Sequence, residues 1–553
     1  MRRFVWLLLL ASALPVWAAN PVYARHAMVV TRETHATDIG VRVLQAGGNA
    51  VDAAVAVGLA LAVTHPSAGN LGGGGFLLAR FADGRTTFLD FRERAPGKAA
   101  RNMYLDAAGN VTDDSVHGYR AAGVPGTVRG LEYASKKWGR KPWADLVAPA
   151  VELAAKGFPV PYDLARSLSR SKLLSRFPES RRIFQRDGRY YEPGELLVQP
   201  ELAQTLMRIR RQGSRDFYEG ETARRLAADM AAHGGEIRLE DLKAYAVVER
   251  QPLAGSYRGY DILTAPPPSS GGIGILQMLG VLAGTGYEKS GAGSAAELHY
   301  LAEAMRRYFA DRAEHLGDPD FFHVPVKGLL DSRYLAELRR SIDPERATPS
   351  TEVRAGKMAG YESSETTHYS IIDAEGNAVA VTYTLNGGYG CGVTATALGF
   401  LLNNEMDDFA AKPGSPNAYG LVQGEGNAIQ PGKHPLSSMT PTIVLRGGKL
   451  YLVLGTPGGP TIINSVLQVL VNVLDFGMNV QDAVNWPRIH HQWLPDQLRV
   501  ERGFSPDTLR LLESRGYQIK VGSPMGEVAA ILMENGWLAG AADPRTQGTA
   551  RGY

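Results

Sequence analysis

Thr366, in the run Glu365-Thr366-Thr367-His368-Tyr369-Ser370, places a hydroxyl at the head of an alternating segment that turns and returns as Ala378 to Leu385. A threonine hydroxyl is a weak nucleophile at neutral pH unless a base takes its proton, and one general solution uses the free α-amino group of an N-terminal threonine. Thr366 is internal, so this chemistry requires cleavage of the Glu365–Thr366 bond. The simplest route is attack of the Thr366 hydroxyl on the preceding carbonyl, followed by hydrolysis of the ester. The amine set free has an ordinary pKa of about 7.7 to 8.0, close to working pH. It can accept a proton as the hydroxyl attacks and return it to the leaving group.

Strands His368 to Asp373 and Ala378 to Leu385 flank Ala374-Glu375-Gly376-Asn377, a connector with turn chemistry. Pairing Asp373 with Ala378 sets Thr366 opposite Leu385, with Thr384 and Asn386 as neighbours, and a slip of one residue is compatible with the pattern. The segment also reads as an ordinary hairpin whose threonines satisfy strand propensity. Further on, Gly455-Thr456-Pro457-Gly458-Gly459-Pro460 joins a β-rich run to the apolar-periodic stretch Ile462 to Leu474, with Pro460 suited to a helix's first turn. Amides exposed at such a helix start suit a developing negative charge, although a Pro-Gly-Gly turn is commonly just a connection.

Thr366 to Ser370, Thr384-Leu385-Asn386, Asn403 to Phe409, Pro435-Leu436-Ser437-Ser438-Met439 and Pro457-Gly458-Gly459 resemble, in order and spacing, the small-subunit motifs of the gamma-glutamyltransferase (glutathione hydrolase) family. Gly69 to Phe76, Asp90-Phe91-Arg92-Glu93 and Pro266 to Gly272 are similar to its large-subunit motifs. The resemblance covers nearly the whole chain after the leader. It implies an α+β fold, the four-layer αββα sandwich of the N-terminal-nucleophile hydrolases, built from both self-processed fragments. It also implies a glutamate-binding constellation. Arg92 has the planar fork that grips an α-carboxylate, Ser437 and Ser438 add hydroxyl donors, and Asn386, Glu405 and Asp408 receive the α-ammonium. Glu405 stands where members carry either Gln or Glu. The stretch Pro413 to Gly424, rich in Gly, Pro and Asn, corresponds to a lid in members that have it, with Tyr419 as its gate.

The elements that must position these residues alternate without repeats or low-complexity linkers. Val51 to Val63 is apolar nearly all round and predicts a helix packed on several sides. Phe76 to Phe81 with Thr86 to Phe91, and Thr442 to Leu445 with Leu450 to Leu454, predict hairpins. Helices are expected over Thr127 to Lys137, Trp143 to Lys156 and Ala295 to Asp311. The glycine run Gly72 to Gly75 lacks the Gly-Lys-Ser/Thr ending of a phosphate loop and points to tight backbone packing. His490-His491 carries no metal-ligand spacing.

With 553 residues, 44% hydrophobic and 21% charged, the composition is that of an ordinary globular protein. A formal net charge of +3 gives no general attraction to nucleic acid. Arg2 and Arg3, the apolar run Phe4 to Leu10 and the small residues around Val16-Trp17-Ala18-Ala19 read as a signal peptide, residues 1–19. No cysteine follows it, so no lipid anchor is expected, and Cys391 alone excludes an internal disulfide. Residues 20–365 are then a large subunit and 366–553 a small catalytic one, associated as a heterodimer in a bacterial periplasm or medium.

The expected activity is transfer of a γ-glutamyl group from glutathione and related compounds, through a Thr366 ester, to water or to an amino-acid or peptide acceptor. The Gly458 and Gly459 amides would hold the oxyanion and Thr384 would orient the nucleophile, with no metal or organic cofactor. Two rivals remain: a cephalosporin acylase taking a glutaryl group, and a catalytically dead binding protein that keeps the pocket.

Overall fold

A computed structural model describes residues 19–353, 366–418 and 420–553. Leader residues 1–18, Glu365 and Tyr419 therefore lie outside the described residues. Among those described, two seven-stranded sheets face one another. One runs, in spatial order, through Val22–Ala24, Trp537–Ala542, Ala529–Glu534, Lys449–Gly455, Thr442–Arg446, Tyr260–Thr264 and Leu253–Tyr257. The other runs through Thr549–Gly552, Met28–Thr31, Thr367–Ile372, Ala378–Thr384, Gly74–Arg80, Thr86–Phe91 and Val248–Arg250.

Period-2 alternation explains the layers. In the second sheet Tyr369, Ile371, Val379, Val381 and Tyr383 point outward into a core with the helix Ala50–Thr64, while Ile372, Ala378 and Ala380 point inward to the facing sheet. Helices Gly271–Leu282 and Thr461–Leu474 cover the outer face of the first sheet, and Ala295–His315 packs against Gly271–Leu282. The result is the αββα sandwich that the sequence led us to expect.

The helix Ala50–Thr64 is buried along its whole length, as its uniformly apolar sequence requires, and opens on a reciprocal Asn49–Asp52 capping box. Tyr369 and Tyr383 donate from the sheet to its Ala54 and Gly58 carbonyls at 3.0 and 2.9 Å. Those two bonds pin the strands that carry Thr366 and Thr384. Between the sheets, His368 meets Thr382 Oγ1 at 2.8 Å and Ser370 Oγ at 3.1 Å, and Ser370 donates across the interface to the Ala529 carbonyl. Burial pushes His368 down to about 3, so this bridge is neutral.

Candidate active site

Thr366 lies at the start of the strand Thr367–Ile372, buried, with its Oγ1 3.3 Å from Thr384 Oγ1. Thr384 Oγ1 also accepts the Asn386 amide at 2.8 Å, which leaves its proton for other acceptors, Thr366 among them. The register departs by one residue from the expected pairing. Thr367 faces Tyr383, which sets Thr366 level with Thr384 instead of Leu385. The cause is Asp373, which leaves the strand to close the turn: its carboxylate accepts the Glu375 and Asn377 amides and the Asn377 side chain, while Gly376 takes φ +86°. Because side chains alternate, this register is the one that brings two hydroxyls onto the same face.

The glycine run behind this pair is a close approach of backbones. A Cβ on Gly73 would stand 2.0 Å from the Thr384 carbonyl, and one on Gly75 2.5 Å from that of Thr382. Asn70 completes the support, donating to the Thr384 carbonyl at 2.8 Å and accepting the Gly73 amide at 3.0 Å.

Across the cleft, Gly458 and Gly459 take φ +135° and +54°, conformations open to glycine and strained for other residues. Their carbonyls accept the Thr461 and Ile462 amides at 3.1 Å each, and the Thr461 hydroxyl adds a bond of 2.7 Å to Gly458. Among the described residues no acceptor takes either glycine's own amide. Pro460 is the cap of the helix Thr461–Leu474 and not part of its first turn as expected. Two N–H groups at a helix start remain available for negative charge.

The far end is charged. Arg92 is buried; its Nη1 pairs with Glu405, its Nη2 donates to Asp408 Oδ2 at 2.5 Å, and Glu93 Oε2 lies 3.5 Å away. Burial works against the Arg92 charge, but the three carboxylates outweigh it and raise its pKa. The acids respond to being three against one. Burial lifts all three: with neighbouring carboxylates adding to it, Glu405 rises well above the usual range and Glu93 is pushed up to about 7, while for Asp408 burial alone raises the pKa, against Arg92 and Arg312. Glu405 to Asp408 is a short 3₁₀ turn held by Asn403, whose Oδ1 accepts the Glu405 amide at 2.9 Å, and by Asn427, which donates to the Asp408 carbonyl at 2.6 Å. Ser437 Oγ accepts the Met439 amide at 3.1 Å, and Ser438 Oγ accepts from Arg312 at 3.3 Å.

Arg92, Thr366, Thr384, Asn386, Glu405, Asp408, Ser437, Ser438 and Gly459 line one narrow cleft. Gly458 sits directly behind Gly459, packed on Gly526. The expected gate Tyr419 and the cleavage partner Glu365 fall outside the described residues. His490, in contrast, is a buried core histidine, hydrogen-bonded to Asn464 and Gln492. Sequence reasoning gave no role to Glu93 or Arg312. Glu93 follows Arg92 and alternation would send it to the other face; Arg312 lies on a helix rich in charges that ordinarily reads as solvated.

Layered sheets enclosing a threonine at a strand start define an N-terminal-nucleophile hydrolase. The gamma-glutamyltranspeptidase family model matches residues 36–553, and the chain belongs to that family. It is 51% identical over 531 residues to a glutathione hydrolase proenzyme of Escherichia coli K12, covering 95% of this chain and 92% of the relative. Among solved structures it resembles a cephalosporin acylase from Bacillus halodurans (TM-score 0.85, 27% identity, 99% of each chain). It also resembles a gamma-glutamyltranspeptidase chain from Helicobacter pylori (TM-score 0.58, 42% identity, 62% of this chain and 97% of that one).

Proposed function

We propose that this protein is an exported, self-processing γ-glutamyl acyltransferase and hydrolase. The observation that carries this reading is the convergence, in one cleft, of a hydroxyl pair, a glycine turn with unused amides, and buried charges of both signs. In maturation, Thr366 Oγ1 attacks the carbonyl of residue 365, the peptide nitrogen leaves as the Thr366 amine, and water hydrolyses the ester. The products are residues 20–365, once the leader 1–19 is removed, and residues 366–553.

In turnover, the freed amine takes the hydroxyl proton as Thr366 Oγ1 attacks the γ-carbonyl of glutathione or a related amide. The Gly458 and Gly459 amides receive the oxyanion, preorganised where charge develops. The leaving amine departs with the proton, and the γ-glutamyl ester passes to water or to an acceptor amine. Arg92 and the serine hydroxyls meet the α-carboxylate, while Asp408, Glu405 and Asn386 meet the α-ammonium. Thr384 orients the nucleophile. Among the described residues no helix is long and apolar enough to cross a membrane, which is consistent with release of the mature form into the periplasm or medium.

A mass spectrum of the purified mature protein tests the reading. Two fragments are expected, one beginning at Thr366. An uncut chain of full mature length would support the dead binding protein instead.

A further inference from the structure

Arg312, in the helix Ala295–His315, is 2% exposed, and among the described residues no carboxylate forms an ion pair with it. Buried guanidinium groups are ordinarily paired, because removing a charge from water is costly. Arg312 instead spends its donors on serines. Its Nε donates to Ser270 Oγ at 3.0 Å and its Nη2 to Ser438 Oγ at 3.3 Å, while Nη1 has no hydrogen-bond partner. Burial lowers its pKa, opposed by Tyr308 and Asp408.

The direction of these bonds has a chemical consequence. A hydroxyl that receives an N–H must send its own proton elsewhere, and Ser438 lines the cleft. Ser270 relays the same influence to the neighbouring serine: its hydroxyl and its amide both donate to the Ser437 carbonyl, at 2.7 and 2.8 Å. Tyr308 fixes the relay by donating to the Ser270 carbonyl at 2.8 Å. The Pro266 to Gly272 motif, given no role by the sequence, is thus the brace between Arg312 and the Ser437-Ser438 segment.

We infer that Arg312 is a positioning residue for the substrate's α-carboxylate, holding Ser437-Ser438 in place and turning the Ser438 hydroxyl into a donor that faces the cleft. This rests on the γ-glutamyl reading and adds to Arg92 a second cation that acts through a serine. It also gives the unpaired buried arginine a place: its charge stands behind the serines that line the cleft, where it favours the ionised form of Asp408.

The test is Arg312→Met, which keeps length and removes both charge and donors. Processing at Thr366 should survive and kcat should hold, while KM for γ-glutamyl-p-nitroanilide rises about 10- to 100-fold, the scale of a hydrogen bond to a charged group. For 4-aminobutyryl-p-nitroanilide, which lacks only the α-carboxylate, kcat/KM should not change. Ser438→Ala should reproduce the selective loss with the guanidinium in place, and the double variant should lose no more than either single one. An unchanged KM, or equal losses on both substrates, overturns the inference. If Arg312→Met does not accumulate, Ser438→Ala decides alone, and full retention of discrimination between the two substrates overturns it. Absence of turnover by the parent protein would count against the γ-glutamyl reading itself.

Discussion

Among the described residues Thr366 meets a hydroxyl, with a neutral histidine two residues on, whereas the far end of the same cleft gathers Arg92, Glu405 and Asp408 backed by Glu93, all buried except Asp408, which is partly exposed. The first arrangement suits chemistry in which the nucleophile's own amine carries the proton: among the described residues no ionisable side chain is hydrogen-bonded to the Thr366 hydroxyl. The second suits recognition of a zwitterion, since each buried charge is costly until an opposite charge meets it. On the proposed reading bond making falls to one end and selection to the other, and each variant below should disturb one end and spare the other.

The largest effect is expected at the uncharged end. Thr366→Ala should leave a single chain without activity, since one hydroxyl serves both maturation and turnover, and a denaturing gel with a turnover assay reads both. Cleavage at the same bond in that variant would end the self-processing argument. Thr366→Ser should retain some of each function.

Next comes discrimination at the charged end. A glutaryl anilide differs from the γ-glutamyl compound only in lacking the ammonium, and so leaves buried acids unpaired. Sites built for a polar group reject the analogue lacking it by up to about 10⁴-fold, so kcat/KM should fall on that scale. Equal or better glutaryl hydrolysis would move the protein to the acylase branch.

Smaller losses should follow from removing single charges. Arg92→Ala or Asp408→Ala should process normally yet raise KM by the equivalent of about 2 to 5 kcal/mol, the cost of truncating one partner of a buried charge pair. Unchanged kinetics in both variants would take these residues out of the binding site.

The smallest effect concerns Glu93 and pH. Its folded pKa, about 7, lies above its unfolded value of 4.5. The folded chain therefore binds more protons between these values, and the contribution is full below pH 4.5 and lost as pH rises through 7. The parent should lose stability over that window by at most about 1.4 kcal/mol per pH unit, and Glu93→Gln should flatten the slope. Thermal midpoints of the two proteins across pH 4.5 to 8 check this; parallel curves would show that Glu93 keeps an ordinary pKa.

Much of the uncharged end was legible in the sequence because it is local. Thr366 and Thr384 belong to one hairpin, and the Gly-Gly turn and its helix are contiguous. What failed there was register, since alternation fixes faces but not which carboxylate closes a turn: Asp373 was read as strand and serves as turn. The charged end was legible only through the family resemblance, because Arg92, Glu405 and Ser437 converge by long-range folding that no period reports. Glu93 and Arg312 escaped for the same reason. A charged residue on a helix or after a strand looks solvated until the packing around it is known.

The strands of residues 20–365 and 366–553 are interleaved in both sheets. Met28–Thr31 lies between Thr549–Gly552 and Thr367–Ile372, and Tyr260–Thr264 pairs with Thr442–Arg446. The backbone amides of Arg25, His26 and Ala27 all donate to the terminal carbonyl of Tyr553. Scission at residue 365 would therefore be mechanically silent among the described strands: it would open a covalent bond and leave each of their ladders paired. The two polypeptides would be woven together, able to part only by global unfolding, and once apart each would face the other's missing strands as unpaired edges. Maturation on such a scaffold would be a one-way commitment, in which the uncut chain directs a fold that its separated products would have no simple route to rebuild.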